Sequence, residues 1–249
     1  MTLQDFFQAN PKAALAFSGG VDSAYLLYEA VRCGAQVRAY YVKSAFQPQF
    51  ELEDARRLAA ELGADLRVLE VDVLADPRIG ANPANRCYYC KTAIFTAIHA
   101  AAKEDGFSLL LDGTNASDDA GDRPGMRALQ ELSVRSPLRE CGLTKEEIRQ
   151  LSREAGLFTW DKPAYACLAT RIPTGEAITA EKLRWTEAAE DHLFALGFSD
   201  FRVRMVGTAA KLQLPAAQLP RLMERRQEIV AQLKQYYSDV LLDLEVRGE

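Results

Sequence analysis

Ala13-Ala14-Leu15-Ala16-Phe17-Ser18-Gly19-Gly20-Val21-Asp22-Ser23 runs from an apolar pentapeptide through a glycine pair into a helical pattern. A short apolar run followed closely by glycine reads as a buried strand. From Asp22 onward Ala24, Leu27, Tyr28 and Val31 recur at helical spacing, and Gly34 is placed to close that helix. Working outward, residues 37–42 form the next apolar run, and 52–62 a helical pattern closed by Gly63. Residues 66–73 read as a third strand, 94–102 as a helix ending near Gly106, and 109–111 as a fourth strand. Strands that alternate with helices in this way predict an α/β fold with a parallel sheet covered on both faces.

The remainder of the chain changes rhythm. Thr144 followed by Glu147 is a capping-box pair that opens a helix running towards Gly156. Residues 160–175 are rich in Pro and small side chains and read as a functional loop or a domain junction. Beyond them come a helix over 179–196, strand-like alternation at 201–205 and 211–214, and an amphipathic helix over 219–233. The expected organisation is a nucleotide-binding domain over 1–170 and a small α+β domain over 171–249.

Composition narrows the function classes. The 249 residues are 48% hydrophobic and 26% charged, an ordinary balance for a globular chain with a core. The start of the chain, with Gln4, Asp5 and Gln8, has no basic segment followed by an apolar run, so a cytoplasmic location is expected. A net charge of −5 argues against a large polyanion as main partner. Only two histidines, His99 and His192, are present and far apart, which disfavours histidine metal sites and Ser-His-Asp triads. The five cysteines read as thiols, metal ligands or catalysts rather than as a disulfide framework.

The loop Ser18-Gly19-Gly20-Val21-Asp22-Ser23 has the chemistry of a phosphate cradle. The glycines let the backbone turn and approach a ligand, and the helix start offers unpaired N–H groups and a positive dipole end. Ser18 and Ser23 add hydroxyls, and Asp22 is placed either to cap the helix or to hold a magnesium ion accompanying the phosphates. Cys87-Tyr88-Tyr89-Cys90-Lys91 stands just before the predicted helix, and two cysteines three apart suit a metal, an iron–sulfur cluster or a redox dithiol. Cys167 adds a third thiol in a loop near Arg171, which would favour thiolate; Cys33 reads as helix packing and Cys141 as incidental. Asp112-Gly113-Thr114-Asn115 follows the fourth strand and so lies at the carboxyl ends of the sheet, where α/β ligands bind. Asp118, Asp119, Asp122 and Arg123 continue that loop. With Arg127 and Arg135 the region offers carboxylates for polar groups and guanidinium forks for phosphate or carboxylate.

The hexapeptide resembles the signature of the PP-loop ATP pyrophosphatases, a Rossmann-like fold that cleaves ATP between the α and β phosphates. Taken with Arg86-Cys87-Tyr88-Tyr89-Cys90-Lys91, Asp112-Gly113-Thr114-Asn115, Arg123-Pro124-Gly125, Ser136-Pro137-Leu138-Arg139 and the run from Lys162-Pro163 to Cys167, Arg171 and Pro173, it is similar to the LarE-type sulfur transferases of nickel-pincer cofactor biosynthesis. The resemblance covers about residues 13–207. It implies ATP with Mg2+, adenylation of the carboxylates of pyridinium-3,5-biscarboxylic acid mononucleotide, and displacement of AMP by sulfur. Ser18–Ser23, Asp112 and Gly113 would then serve ATP. Asp118, Asp122, Arg123, Arg135, Arg171, Arg202 and Arg204 would serve the substrate side. Gln213 stands where the family's strand pattern has a carboxylate. Members with one reactive cysteine surrender its sulfur and are left with dehydroalanine, whereas three-cysteine members hold a 4Fe–4S cluster. Cys87, Cys90 and Cys167 favour the cluster, with sacrifice of Cys167 as the alternative. A homo-oligomer with a small nucleotide substrate, and neither nucleic acid nor membrane as partner, completes the expectation. A tRNA thiolation enzyme and a non-catalytic ATP- or cluster-sensing regulator are the competing readings.

Overall fold

Lys12–Ala16 (β1) sits at the centre of a four-stranded parallel sheet with Gln36–Lys43 (β2) on one side and Leu110–Leu111 (β4) on the other. Asp65–Glu70 (β3) lies outside β2, so the order is β3-β2-β1-β4. The computed structural model describes residues 1–118 and 124–247. The chain divides into two compact units, residues 1–73 with 85–162 and residues 74–84 with 163–249. The main division thus falls earlier than residue 170, and a short stretch from the first half packs with the second unit. Asn82 explains that excursion: its amide donates to the Pro173 carbonyl at 2.8 Å, and Ile178 N–H donates to the Gly80 carbonyl.

In the first unit, Leu3–Ala9 (α1), Val21–Arg32 (α2), Gln49–Glu61 (α3), Arg86–Glu104 (α5), Pro124–Glu131 (α6), Pro137–Glu140 (α7) and Lys145–Glu154 (α8) surround the sheet; Pro77–Gly80 (α4) belongs to the second. One face of the sheet buries Leu15, Tyr41 and Leu111 against Leu26, Leu27, Leu58 and Phe6, and the other buries Ala14, Tyr40 and Leu110 against Phe95, Ile98 and Phe107. That two-sided burial explains why the strands read as continuous apolar runs rather than as alternating ones. The predicted strands and helices of the ATP-binding half are present. α2 is closed by Gly34 at φ 72°, and α8 is opened by its own capping box, Thr144 to Glu147.

Three features differ from the sequence reading. α5 begins at Arg86, well before residue 94, because nothing between 86 and 104 is Gly or Pro and the helix propagates back to Asn85. Cys87 and Cys90 therefore lie on the helix rather than before it. α1 is an additional element, in which Thr2 and Asp5 make a full capping box ahead of Leu3, Phe6 and Phe7. The third strand stops at Glu70, and residues 73–75 are a 3-10 turn.

The second unit pairs Arg202–Val206 (β5) antiparallel with Ala209–Gln213 (β6), and β6 in parallel with Val240–Leu242 (β7). Ala180–Ala195 (α9) packs on β5, and Leu219–Leu233 (α10) packs on α9.

At the end of α5, Asp105 accepts hydrogen bonds from Arg67 at 2.8 Å and Tyr40 at 2.8 Å, with Arg38 at 2.9 Å. These donors, Arg67 first, hold its carboxyl well below the usual carboxylate range. A depressed carboxyl contributes stability that is present above the unfolded value of about 3.9 and lost as pH falls through the folded one. Asp105→Asn is therefore expected to lower stability at neutral pH and to flatten its decline below about pH 4, measured by urea unfolding across pH.

Candidate functional site

The strand order reverses direction between β1 and β4, and it is at such a switch point that an open α/β sheet has its ligand crevice. The loops leaving these two strands meet there. Gly19 takes φ 73°, and a Cβ on it would stand 3.3 Å from the Cβ of Ala55 on α3. Gly20 is the N-cap of α2 and supplies no side chain, so the N–H groups of the first turn remain available to an anion. Asp22, expected as either cap or magnesium holder, is not the cap. The loop closes on itself through Ser23, whose hydroxyl donates to Gly20 O at 3.2 Å, accepts from Ser18 N–H at 3.3 Å and lies 3.1 Å from Ser18 Oγ.

The second loop approaches this one backbone to backbone. A Cβ on Gly113 would fall 2.9 Å from the amide nitrogen of Ser23, so only glycine fits. Asp112 does not point at the crevice unassisted: Thr114 Oγ1 and Ser136 Oγ donate to its two oxygens at 2.5 and 2.6 Å. Asn115, almost fully buried, donates to Asp22 Oδ1 at 3.3 Å, and Lys145 at the start of α8 donates to Asp22 Oδ2 at 2.5 Å. The carboxyl of Asp118 turns back to accept from Asn115 N–H at 2.9 Å, while Arg139 donates to the Asp118 carbonyl. Asp119, Asp122 and Arg123 lie outside the described residues.

α5 starts at the same carboxyl edge of the sheet, because it runs antiparallel to the strands it connects. Its first turns carry Arg86, Cys87, Cys90 and Lys91. Cys87 is exposed and Cys90 half-buried, and the Arg86 guanidinium lies 4.0 Å from Cys87 Sγ. A spacing of three on a helix puts both thiols on one face. Cys33 and Cys141 instead pack against the hydrophobic core, and burial pushes both thiols up. Arg135, expected on the substrate side, is not brought to the crevice: it bonds Glu140 and Asn10 and stands 4.6 Å over the Phe6 ring, beside the opposite end of β1.

In the second unit Cys167 caps the 3-10 turn Leu168–Arg171, its carbonyl taking the Thr170 N–H at 2.9 Å and hydroxyl at 2.8 Å. Arg171 is completely buried and bidentate to Glu190, at 2.8 and 3.1 Å, and also donates to the Ala166 carbonyl. Strand alternation turns Val203 and Met205 to the core and puts Arg202 and Arg204 on the opposite face. Arg202 donates to the carbonyls of Phe201 and Ala164, with the Asp200 carboxylate 3.9 Å away; Arg204 donates to Thr170 O and Gln213 Oε1. Burial, with Arg171 and Arg247 nearby, pushes Arg202 down to about 10 and lowers Arg204 too. Three buried or half-buried guanidiniums thus lie close together, Arg171 paired with the fully buried Glu190 and Arg202 with Asp200. Within each unit, no group of three or more His, Cys, Asp or Glu among the described residues is disposed to hold a metal ion. The thiols are suitable donors for iron, with Cys87 and Cys90 on the first unit and Cys167 on the second.

A strand, a glycine-rich anion cradle and a helix at the switch point of a parallel sheet define an ATP-using enzyme of the PP-loop type. Residues 12–82 match the family model of queuosine biosynthesis protein QueC. The chain is 32% identical to the pyridinium-3,5-bisthiocarboxylic acid mononucleotide synthase of Lactiplantibacillus plantarum, over 94% of its length and 86% of the relative's. An uncharacterised Synechocystis protein, slr1717, is 38% identical over 89% of this chain and 83% of its own. A tRNA-specific 2-thiouridylase of Clostridium botulinum is 28% identical over 60% of this chain and 51% of its own. The chain belongs to the LarE-type family of PP-loop, ATP-dependent sulfur transferases. No helix among the described residues is long and apolar enough to cross a membrane.

Gly113→Ala should separate the two loops. The expected result is a stability loss of about 1–3 kcal/mol in chemical denaturation, together with a higher KM for ATP in a pyrophosphate-release assay.

Proposed function

We propose that this chain adenylates the carboxylates of pyridinium-3,5-biscarboxylic acid mononucleotide and converts them to thiocarboxylates. The observation that carries the reading is the meeting of the Ser18–Ser23 and Asp112–Asn115 loops in a chain alike over nearly its whole length to a synthase of the bisthiocarboxylic product. A carboxylate is a poor acyl donor, since oxide is a poor leaving group. Attack of its oxygen on the α-phosphorus of ATP breaks the α–β bond and releases pyrophosphate. The acyl carbon then carries AMP, which sulfur can displace. In this reading the α2 N-terminus and the serine hydroxyls bind the phosphates, with Mg2+ entering with ATP. Asp118, Asp122, Arg123, Arg202 and Arg204 would face the nucleotide substrate, whereas Arg171 is committed to Glu190. The surplus of guanidinium over carboxylate around Glu190 supports an anionic ligand.

Cys87, Cys90 and Cys167 would hold a 4Fe–4S cluster, and thiolate donors of this kind suit it. When bound, such a cluster supplies the sulfur-carrying chemistry without consuming a residue of the chain. In the sacrificial alternative the Cβ–S bond of Cys167 breaks after thioester formation and leaves dehydroalanine. The partial likeness to a tRNA 2-thiouridylase favours tRNA as a second substrate reading, which the acidic charge opposes.

Anaerobic purification with iron and sulfide assay, followed by intact mass after turnover, separates the sulfur sources. Unchanged mass over repeated turnovers is expected, and a mass loss of one hydrogen sulfide at Cys167 would indicate sacrifice. Cys167→Ala should still release pyrophosphate but make no thiocarboxylate; full thiolation by this variant would sink the reading.

A further inference from the structure

Glu190 is unusual for a carboxylate that touches neither solvent nor the phosphate loop. It lies on α9 at 1% exposure and is saturated with donors from three residues on two separate segments. Arg171 donates Nε to Oε1 at 2.8 Å and Nη2 to Oε2 at 3.1 Å. The Tyr165 hydroxyl donates to Oε2. Val203 N–H, on the outer edge of β5, donates to Oε1 at 2.9 Å. Tyr165 and Arg171 flank Cys167, two residues before and four after. One carboxylate therefore grips both ends of the loop that carries the thiol and ties them to α9 and to the sheet edge.

The cations around Glu190 hold the same loop. The Tyr165 ring is packed by two guanidiniums, with Arg171 at 4.6 Å and Arg202 at 5.1 Å from its centroid. Both cations also reach carbonyls of the loop, Ala166 for Arg171 and Ala164 for Arg202. Arg171 is held by Glu190 directly, and Arg202 meets it across the Tyr165 ring that Glu190 also bonds. Removing the carboxylate would leave the buried Arg171 without its counter-charge and the Tyr165 hydroxyl and Val203 N–H without their acceptor, and the loop would open to relieve them.

We propose that Glu190 is a positioning residue for Cys167, a clasp through Tyr165 and Arg171 that sets the height and direction of the thiol. This rests on the reading that sulfur passes through Cys167. Glu190 does not touch the reacting atoms; it limits how far the thiol travels between turnovers. The charge it supplies is secondary to the two-ended grip.

Two variants separate grip from charge. Glu190→Gln removes the charge and one of the two acceptor oxygens, whereas Tyr165→Phe keeps every charge and the ring beside the guanidiniums and removes only the hydroxyl. In the full-length protein, purified without cluster, alkylation by iodoacetamide is followed by peptide mass at Cys167 and at Cys87 together. Loss of a buried hydrogen bond to a charged group predicts alkylation of Cys167 faster by about tenfold or more in Glu190→Gln, and faster in Tyr165→Phe as well, with Cys87 unchanged. In turnover both variants keep the KM for ATP, while kcat for thiocarboxylate falls by more than the rate of pyrophosphate release. Acceleration in Glu190→Gln alone would mean an electrostatic effect on the thiol and overturn the clasp. Equal acceleration at Cys87, or proportional loss of pyrophosphate release, would mean general destabilisation and also overturn it. A wild-type protein that makes no thiocarboxylate would defeat the functional reading, while the alkylation ratio would still decide the clasp.

Discussion

The contact on which the ATP half depends is the approach of the Gly113 backbone to the backbone of Ser23. Two loops from neighbouring parallel strands come this close only where no Cβ at position 113 stands in the way. The closeness brings the Asn115 amide to the Asp22 carboxylate and lets Lys145 reach it from α8. It leaves the first N–H groups of α2 facing the crevice. The strand order makes this possible, since β1 and β4 are neighbours whose following helices leave on different sides of the sheet. Gly19, pressed on Ala55, fixes the same turn from the α3 side.

The second unit solves a different problem, that of placing a thiol among cations. Alternation along β5 sends Val203 and Met205 inward and necessarily sends Arg202 and Arg204 together to the other face. Arg171 joins them from the 3-10 turn after Cys167. Burying three guanidiniums is costly unless carboxylates or carbonyls receive them, and Glu190 with the carbonyls of Ala164, Ala166, Phe201 and Thr170 does so. Gln213 belongs to the same arrangement: it links Arg204 to Asp243, at 3.2 Å on each side, where a carboxylate would have been drawn into the ion-pair network.

Local signals are legible where they act over a few residues. The Thr144–Glu147 box, the Gly34 cap and the strand–glycine–helix order of residues 13–23 are readable because each depends on neighbours in sequence. The start of α5 is not readable in the same way, because the apolar period is weak there: Arg86, Cys87 and Lys91 interrupt it, and the helix continues through uninterrupted propensity. Arg135 and Arg171 suggest substrate contacts from their chemistry alone. Arg135 stacks on Phe6 and bonds Asn10, 125 positions away, and Arg171 is committed to Glu190, 19 positions on. Neither partner can be recognised from spacing.

The sequence by itself determined the parallel α/β architecture, the phosphate cradle and the thiol inventory, since hydrophobic period, glycine placement and residue type are local properties. Tertiary structure alone decided which cations are committed to carboxylates and carbonyls. It also decided that Gly113 must be glycine and that one buried glutamate grips the Cys167 loop. Those facts depend on distances of about 3 Å between segments far apart in the chain, and no local pattern encodes them.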